Sequence, residues 1–402
     1  MLHVCFGVVI FVWHGKQLST REENMKPVII LLSILAIIPI KSWSLTKSEM
    51  VDRLNILAEE IETLKSNSGR SNDKLSIGGY GEVTFSKNEE GQKNSTSSDA
   101  KSDSKRFVLY VGYQYSSEWS FVGELEIEHA NEAWIEQAYV QYSKSDLLNY
   151  RFGTLLLPVG HTNLYHEANT FESVQRPQTE TAIIPTTWRE NGVGLYGKKN
   201  RFEYHAYVVS SVSSDLSSDG LRGGRQKASK ADSHHGAYIL SADYLVLANL
   251  KLGASYYNGR VNGTTSGASV NLSEIHGLYS FSNWEVRFLT ASAVIDKAEE
   301  FNLEQGQDLA EKMYGSYLEL KYKYALGGNQ KIIPFVRYER LDTHAQVDDN
   351  TVRDQSKDKT YKVVGLAYKP MEQLALKADY AKVENKADSA ADEWNLGVAW
   401  QF

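Results

Sequence analysis

Hydrophobic and polar residues alternate one by one along most of this chain, most clearly in its last segment. There Trp394, Leu396, Val398, Trp400 and Phe402 are apolar or aromatic, and the residues between them are small or polar. A period of two is typical of a β-strand whose faces meet different surroundings. Including this terminal segment, sixteen such segments are present. The others cover residues 75–86, 105–116, 119–129, 132–143, 148–156, 188–198, 201–212, 236–244, 249–260, 270–281, 283–294, 313–325, 331–341, 361–369 and 374–384.

The number and length of these segments favour a membrane barrel over a soluble sandwich. Alternation alone does not distinguish them, because the apolar face points to a core in one and to lipid in the other. A membrane strand needs about 9–11 residues, whereas strands of globular proteins usually have about 5–6. The segments here match the longer class. We therefore predict an all-β fold, a closed antiparallel transmembrane β-barrel of about 16 strands covering residues 75–402.

The connections between segments alternate in length, as the turns and loops of an outer-membrane barrel do. Tight ones include residues 116–118, 143–147, 199–200 and 369–373, and longer polar ones include 87–104, 157–187, 213–235, 296–312 and 342–360. The short side is expected to face the periplasm. An even strand number places both barrel ends on that side.

The N-terminal part predicts export. Residues 28–40 form an apolar run of 13 residues, preceded by Lys26 and followed by Ser42 and Ser44. The run is shorter than the roughly 20 residues of a transmembrane helix, which is the alternative interpretation. We interpret residues 1–44 as a leader and signal peptide whose better initiator is Met25.

A short helix is predicted next, over residues 45–66, followed by a polar linker at 67–74. Its apolar positions recur at alternating spacings of four and three, which is typical of a coiled-coil seam. Such a short helix is marginal alone, so it requires self-association or, alternatively, packing on its own barrel. The seam residues are Met50, Leu54, Leu57, Ile61 and Leu64.

Charged residues fall opposite the apolar positions on many strands, which predicts a water-filled lumen. A Lys or Arg facing lipid costs up to about 2–4 kcal/mol, so charges in this register are expected to face water. The facing of Glu136 stays open because it shares its phase with Trp134, Ala138 and Val140. The predicted pore-lining residues are Glu124, Glu126, Glu128, Glu285, Arg287, Glu319, Lys321, Arg337, Glu339, Lys377 and Asp379.

The connection at residues 157–187 is the longest and is partly apolar, so we expect it to fold into the barrel rather than extend into solvent. Packing over a neighbouring subunit is the alternative. Folding inward would bring a set of charged residues to the permeation path. These constriction-loop residues are His166, Glu167, Glu172, Arg176 and Glu180.

Five stretches resemble the phosphate-selective porin O and P family: residues 155–160 (LLLPVG), 176–177 (RP), 183–197 (IIPTTWRENGVGLYG), 365–370 (GLAYKP) and 376–380 (LKADY). The resemblance implies a sixteen-stranded trimer, a periplasmic coiled coil and an inward third external loop. The end of the chain, closing with Phe402, resembles the signal read by the barrel-assembly machinery. Phosphate selectivity implies clustered basic residues at the constriction, but loop 157–187 has only Arg176. The resemblance is therefore extended to the fold and not to the substrate.

Composition excludes several other classes. Residues 45–402 contain 39 Lys and Arg against 48 Asp and Glu, so they lack the excess of basic residues that is typical of nucleic-acid binding. The single cysteine, Cys5, lies in the predicted leader. No nucleophile elbow, phosphate loop or dinucleotide motif is present. The loop pairs His161/His166 and His234/His235 lack an accompanying zinc motif. We expect no enzyme activity, no cofactor and no metal.

The favoured hypothesis is a homotrimeric porin in the outer membrane of a Gram-negative cell. It would contact lipid outside and pass small hydrophilic solutes or ions passively, with a weak preference for cations. An anion or phosphate channel is the first alternative. A structural or adhesive barrel without transport is the second.

Overall fold

The computed structural model describes residues 74–89 and 100–402. The predicted leader, coiled-coil seam and linker up to residue 73 lie outside the described residues. Within the described part, sixteen strands follow one another along the chain. They are β1 (Leu75–Asn88), β2 (Ala100–Gln114), β3 (Trp119–Glu128), β4 (Glu132–Ser145), β5 (Leu148–Leu156), β6 (Arg189–Lys199), β7 (Phe202–Ser210), β8 (Gly236–Leu247), β9 (Leu250–Arg260), β10 (Ser269–Phe281), β11 (Trp284–Asp296), β12 (Lys312–Tyr322 and Tyr324–Gly327), β13 (Gln330–Gln346), β14 (Asp358–Met371), β15 (Leu374–Asn385) and β16 (Glu393–Gln401).

The strands form one closed antiparallel sheet. Each strand pairs with its neighbours in the chain, and β1 pairs with β16 from Tyr80 opposite Gln401 to Asn88 opposite Glu393. Gly79 and Phe402 exchange both backbone hydrogen bonds at 2.9 Å. Because closure removes the free edges of the sheet, every strand finds hydrogen-bond partners without water. The predicted fold class, a barrel of sixteen antiparallel strands, is confirmed.

The connections differ in length on the two sides of the barrel. Those on the side of Phe402 span only two to four residues, whereas those on the other side include residues 157–188, 211–235 and 297–311. Two predicted loops are shorter than expected, because β2 already begins at Ala100 and β13 continues to Gln346. The sequence there is polar on both faces, so alternation does not reveal that the backbone ladder continues.

Apolar side chains cover the outer face of the barrel, as lipid contact requires. On β13, Val336 and Tyr338 are about half exposed, while Arg337 and Glu339, which alternate with them, are buried inside. The same division holds on β3, where Leu125 lies outside between Glu124 and Glu126. Further outward residues include Phe107, Phe152, Val208, Leu240, Ile275, Leu318, Val364, Leu376 and Leu396.

A β-bulge in β4 breaks the alternation at one point. Glu124 pairs with Gln137 and the next residue, Leu125, pairs with Ile135, so Glu136 is an extra residue in its strand. Ile135 faces outward at 57% exposure, and Glu136 is completely buried inside. A bulge commonly redirects one side chain in this way. The facing of Glu136, which alternation left open, is therefore inward.

The longest connection lies inside the barrel, with most of its residues buried and Tyr165 and Thr170 exposed. It contains one helical turn, Thr179–Ile183, and its apolar residues pack with other external loops around Trp188 and Tyr257, whose rings are 4.5 Å apart. Those loops contain helix α1 (Ala298–Gln305) and the single turns Arg222–Gly224 and Gln355–Lys357. No helix in residues 74–89 and 100–402 is both long and apolar enough to cross a bilayer.

Candidate functional site

Residues 157–187, called the inner loop from here on, cross the lumen from β5 and β6 to the far side of the barrel. The backbone N–H of Val174 donates to Asp379 at 2.6 Å, and Lys369 donates to the carbonyl of Asn169 at 2.7 Å. The amide of Asn169 donates to Gln401 on β16 at 2.7 Å. Polar side chains of the barrel thus bind the backbone of an irregular segment, which has no ladder of its own to satisfy its N–H and C=O groups.

One side of the lumen, called the mixed wall, consists of inward charges of both signs on β11 to β15. Lys321 contacts Glu285 within the wall and Glu172 of the inner loop, both at 2.7 Å. Arg337 lies 3.3 Å from Glu319 and 3.7 Å from Glu339. The residues of the mixed wall are Glu285, Arg287, Glu319, Lys321, Arg337, Glu339, Lys369, Lys377 and Asp379.

The opposite side, called the acidic wall, belongs to β1 to β4 and contains Glu82, Glu124, Glu126, Glu136 and Arg106, all buried. Arg106 lies 3.0 Å from Glu82 and 3.6 Å from Glu126. Neither carboxylate oxygen of Glu126 or Glu136 has a hydrogen-bond donor among the described residues. Arg176 and Arg189 also lie near this wall. Buried carboxylate oxygens without a donor are nevertheless costly unless a cation or water compensates them.

His166 of the inner loop lies against the acidic wall. Its Nδ1 is 3.0 Å from the carbonyl oxygen of Asn163, and its Nε2 is 3.4 Å from an oxygen of Glu124 and 3.4 Å from one of Glu136. Burial lowers the pKa of the imidazole, but Glu136 and Glu124 outweigh burial and raise the pKa of His166 well above its ordinary value. In the absence of another cation, a protonated ring here partly neutralises the two carboxylates.

The inner loop is therefore charged in opposite senses on its two sides. His166 meets the acidic wall, and Arg176 lies nearby, donating to the carbonyl of His166 at 2.6 Å. Glu172 and Glu180 meet the mixed wall, through Lys321 and the hydroxyl of Tyr317. Burial raises the pKa of Glu172, but Lys321 more than offsets this and lowers it below its ordinary value. On each side the loop therefore places a charge opposite in sign to the wall residues that it contacts.

Two polar cavities remain at the end of the lumen next to the short turns. The larger, about 430 Å³, is lined by Asn169, Lys369, Glu372, Gln373, Gln401 and Phe402. The smaller, about 220 Å³, lies between Glu172, Arg287 and a set of lysines, namely Lys321, Lys323, Lys331 and Lys369. These volumes accommodate hydrated ions and small solutes but no macromolecule.

Most predicted pore-lining residues point into the lumen. Glu128 and Arg287 are only half-buried, because Glu128 lies at the external end of β3 and Arg287 borders the smaller cavity. Of the predicted loop residues, Glu167 is half-buried near the hydroxyl of Tyr110 at 3.4 Å. His161 and His166 do not form a pair, since the ring of His161 lies 4.5 Å from that of His276.

Sequence reasoning did not include several lumen residues among its candidates. Glu82 and Arg106 lie directly opposite each other on β1 and β2, so pairing the two strands in register would have revealed them. Lys369 lies near the end of β14 beside a proline, where the alternation is weak. Glu136 was ambiguous because only the bulge determines its direction.

A closed sixteen-stranded barrel with an apolar belt, a charged lumen and an inward loop defines the class of porin-like barrels of the Gram-negative outer membrane. Residues 221–402 match a family described as outer membrane protein beta-barrel domain. A protein of Aquifex aeolicus (strain VF5), described only as an uncharacterized protein, is 33% identical over 356 residues, covering 82% of this chain and 80% of that protein. The chain belongs to the same family as this relative.

Solved structures with the same architecture include known outer-membrane proteins. OmpF of Salmonella typhi, in complex with daunomycin, has a TM-score of 0.56 at 11% identity, covering 82% of this chain and 97% of that one. OmpT of Vibrio cholerae in a trimer form gives 0.54 at 13%, covering 82% and 99%. An anion-selective porin from Comamonas acidovorans gives 0.53 at 11%, with the same coverage as OmpT. At these identities the likeness concerns the fold alone.

Proposed function

We propose that this protein is a porin through which small hydrophilic solutes and ions diffuse passively. The observation that carries the proposal is the charged inner face of a closed barrel, crossed by a loop whose charges match both walls. Charged groups on facing walls of a pore set a transverse field that polar solutes tolerate and apolar ones do not. The protein needs no turnover and no cofactor for this task.

The inner loop makes the path narrow. Its buried residues His166, Glu172, Arg176 and Glu180 occupy the middle of the lumen, and Glu167 lies beside them. Because this segment bonds to both walls, we expect a smaller single-channel conductance than an open barrel with the same strand number would have. The carboxylates of Glu126 and Glu136, which have no hydrogen-bond donor in the described part of the chain, favour cations over anions in the remaining space.

A homotrimer is the assembly that we propose. OmpT of Vibrio cholerae, whose fold is similar, was solved in a trimer form, and the predicted coiled-coil seam at Met50–Leu64 offers a second contact between subunits. Outer-membrane lipid covers the remaining belt. The aromatic strand end at Trp400 and Phe402 is the segment that we expect the barrel-assembly machinery to bind.

Planar-bilayer recording of the purified full chain tests the proposal. Stepwise openings in multiples of three, with a weak preference for cations in a KCl gradient, are the expected result. Salts of unequal ion size would then estimate the limiting radius. Absence of any opening from protein that migrates as a folded, heat-modifiable barrel on gels would contradict transport.

An anion-selective channel is the second candidate, and the smaller cavity favours it. Lys321, Lys323, Lys331 and Lys369 line this cavity with Arg287, against the carboxylates of Glu172, Glu285 and Glu372. A reversal potential of the sign for anion permeation would select this function, and phosphate would then be the solute to compare with chloride.

A structural barrel without transport, the remaining alternative, is favoured by the buried inner loop and predicts no conductance at all.

A further inference from the structure

Three buried side chains from three segments meet at one point of the acidic wall. Glu124 belongs to β3, Glu136 is the bulge residue of β4, and His166 belongs to the inner loop. One potential ligand atom of each lies within 4.8 Å of the others, and this is the one such group of three among the described residues. Each of the three residues is at most 2% exposed.

The distances match the first coordination shell of a transition-metal ion. Zinc binds imidazole nitrogen and carboxylate oxygen at about 2.0–2.2 Å, so the ligands of a tetrahedral site lie about 3.4 Å apart. His166 Nε2 is 3.4 Å from the nearest oxygen of Glu124 and 3.4 Å from that of Glu136. Two edges of such a tetrahedron therefore have the expected length, the two carboxylate oxygens lie within 4.8 Å of each other, and the three atoms form no hydrogen bond to one another.

The surrounding hydrogen bonds prepare the three groups for a metal. A carbonyl oxygen only accepts, so Nδ1 of His166 carries the hydrogen that it donates to Asn163, and Nε2 faces the two carboxylates. Gln137 donates to the second oxygen of Glu124 at 2.6 Å and fixes that carboxylate. Outer contacts of this kind orient metal-binding histidines and carboxylates in proteins.

The atoms that face the centre lack other partners. His166 Nε2, Glu124 Oε1 and both oxygens of Glu136 are buried without a hydrogen bond in the described part of the chain. Buried polar atoms without partners are rare and indicate water or an ion. Arg106 pairs with Glu82 and Glu126, and Arg176 and Arg189 also lie near this wall. The two carboxylates of Glu124 and Glu136 themselves carry the charge that a divalent cation would neutralise.

A second histidine of the lumen shows what a site without metal looks like. His276 also lies between two carboxylates, but its Nδ1 is 2.7 Å from Glu274 and its Nε2 is 2.8 Å from Asp243, both within hydrogen-bond geometry. Both ring nitrogens are therefore used, and no atom is free for a metal. His276 is accordingly a matched control for His166.

We propose that Glu124, Glu136 and His166 bind a divalent transition-metal ion of the zinc class. A mixed set of imidazole and carboxylate suits zinc better than magnesium or calcium, which prefer oxygen alone. The ion ties the inner loop to β3 and β4, with its fourth position open to water. The proposal revises the sequence-based expectation of no metal and does not depend on whether the barrel conducts.

Equilibrium dialysis of the purified, EDTA-treated full chain against zinc sulfate, followed by elemental analysis, tests the site. One zinc ion per chain is expected, and X-ray absorption of the loaded protein should show one imidazole with oxygen neighbours near 2.0 Å, which is the ordinary zinc distance. His166→Gln and Glu136→Gln should each weaken binding by at least about a hundredfold, more than loss of an outer contact costs. His276→Gln should leave the stoichiometry unchanged.

Other outcomes would overturn the proposal. Less than a tenth of an ion per folded chain, or unchanged binding in His166→Gln, means that the histidine bridges the glutamates as a protonated ring only. Loss of zinc in the double variant His234→Gln/His235→Gln, with His166→Gln unaffected, would place the metal in the external loop. If His166→Gln does not fold, absence of an imidazole in the wild-type absorption spectrum contradicts the site on its own.

Discussion

The acidic wall on β1 to β4 and the mixed wall on β11 to β15 surround the same lumen but satisfy their charges differently. In the mixed wall, Lys321 meets two carboxylates and Arg337 meets two others, so positive and negative groups compensate one another. In the acidic wall, Glu126 and Glu136 have no hydrogen-bond donor in the described part of the chain. The mixed wall also has single buried atoms without a hydrogen bond, among them Arg287 Nε and Glu319 Oε1, but among the described residues of the two walls only Glu126 and Glu136 have neither carboxylate oxygen bonded. The two walls consist of different residues, so each can be altered separately, and the inner loop contacts both.

Removing the inner loop from between the walls should have the largest effect. Replacing residues 163–178 by a short Gly-Ser linker deletes the contacts of His166, Glu172 and Val174 with the two walls, yet leaves the ladders of all sixteen strands intact. Single-channel conductance in planar bilayers should rise severalfold, because the cross-section is then open. An unchanged conductance from a heat-modifiable barrel would show that ions do not pass beside this loop.

Breaking the mixed wall at Lys321 should be the most costly single substitution. Lys321→Met leaves Glu172 buried without its ion-pair partner and leaves Glu285 with Lys323 alone, which should reduce the free energy of unfolding by about 3 to 5 kcal/mol. Urea titration of the barrel in detergent, followed by tryptophan fluorescence, measures this. The matched control is Lys198→Met, because Lys198 is exposed and lies 2.9 Å from the half-buried Glu203. It should cost below about 1 kcal/mol, and equal costs would mean that lumen burial is unimportant.

A smaller effect is expected from the hydrogen bond that orients the acidic wall. Gln137→Leu removes the donor at 2.6 Å from Glu124, and a buried bond to a charged group is worth about 1.5 to 3 kcal/mol. The same urea titration measures it in the absence of metal. Gln141→Leu, which removes a bond to Arg151 instead, is the control on the same strand. Greater stability in Gln137→Leu would argue that Glu124 is protonated.

Substitutions in the two walls should shift the reversal potential in opposite directions, although each shift is small. Glu126→Gln removes a negative charge from the acidic wall, and Lys369→Gln removes a positive one beside both cavities. In a KCl gradient the reversal potential should move toward anions in the first variant and toward cations in the second, by a few millivolts each. Shifts of the same sign in both variants would contradict the assignment of the two walls.

The fold was predictable because lipid and water impose a period of two on each strand. All sixteen strands were located, and only ends such as Ala100 and Gln346 were misplaced, where a strand passes beyond the bilayer and loses its apolar face. The charged face of β13 around Arg337 and Glu339 followed from the same rule.

The site was only partly predictable, for a physical reason. The inward course of residues 157–187 could be inferred from their apolar content, but an irregular segment has no period that assigns partners. Glu124, Glu136 and His166 lie far apart in the sequence, and Glu136 faces inward only because β4 contains an extra residue. Contacts that depend on a bulge and on the docking of a loop are determined by shape in three dimensions.

The attachment of the inner loop to opposite sides also has a mechanical consequence. The segment is anchored covalently to β5 and β6 and bonded to β13, β15 and β16 across the lumen. A segment that is bonded to opposite sides of the barrel resists flattening of the barrel when the lateral pressure of the acyl chains changes. A hoop of strands alone bends easily, because bending leaves its hydrogen bonds intact. The same chain segment therefore limits what passes through the barrel and keeps its cross-section round.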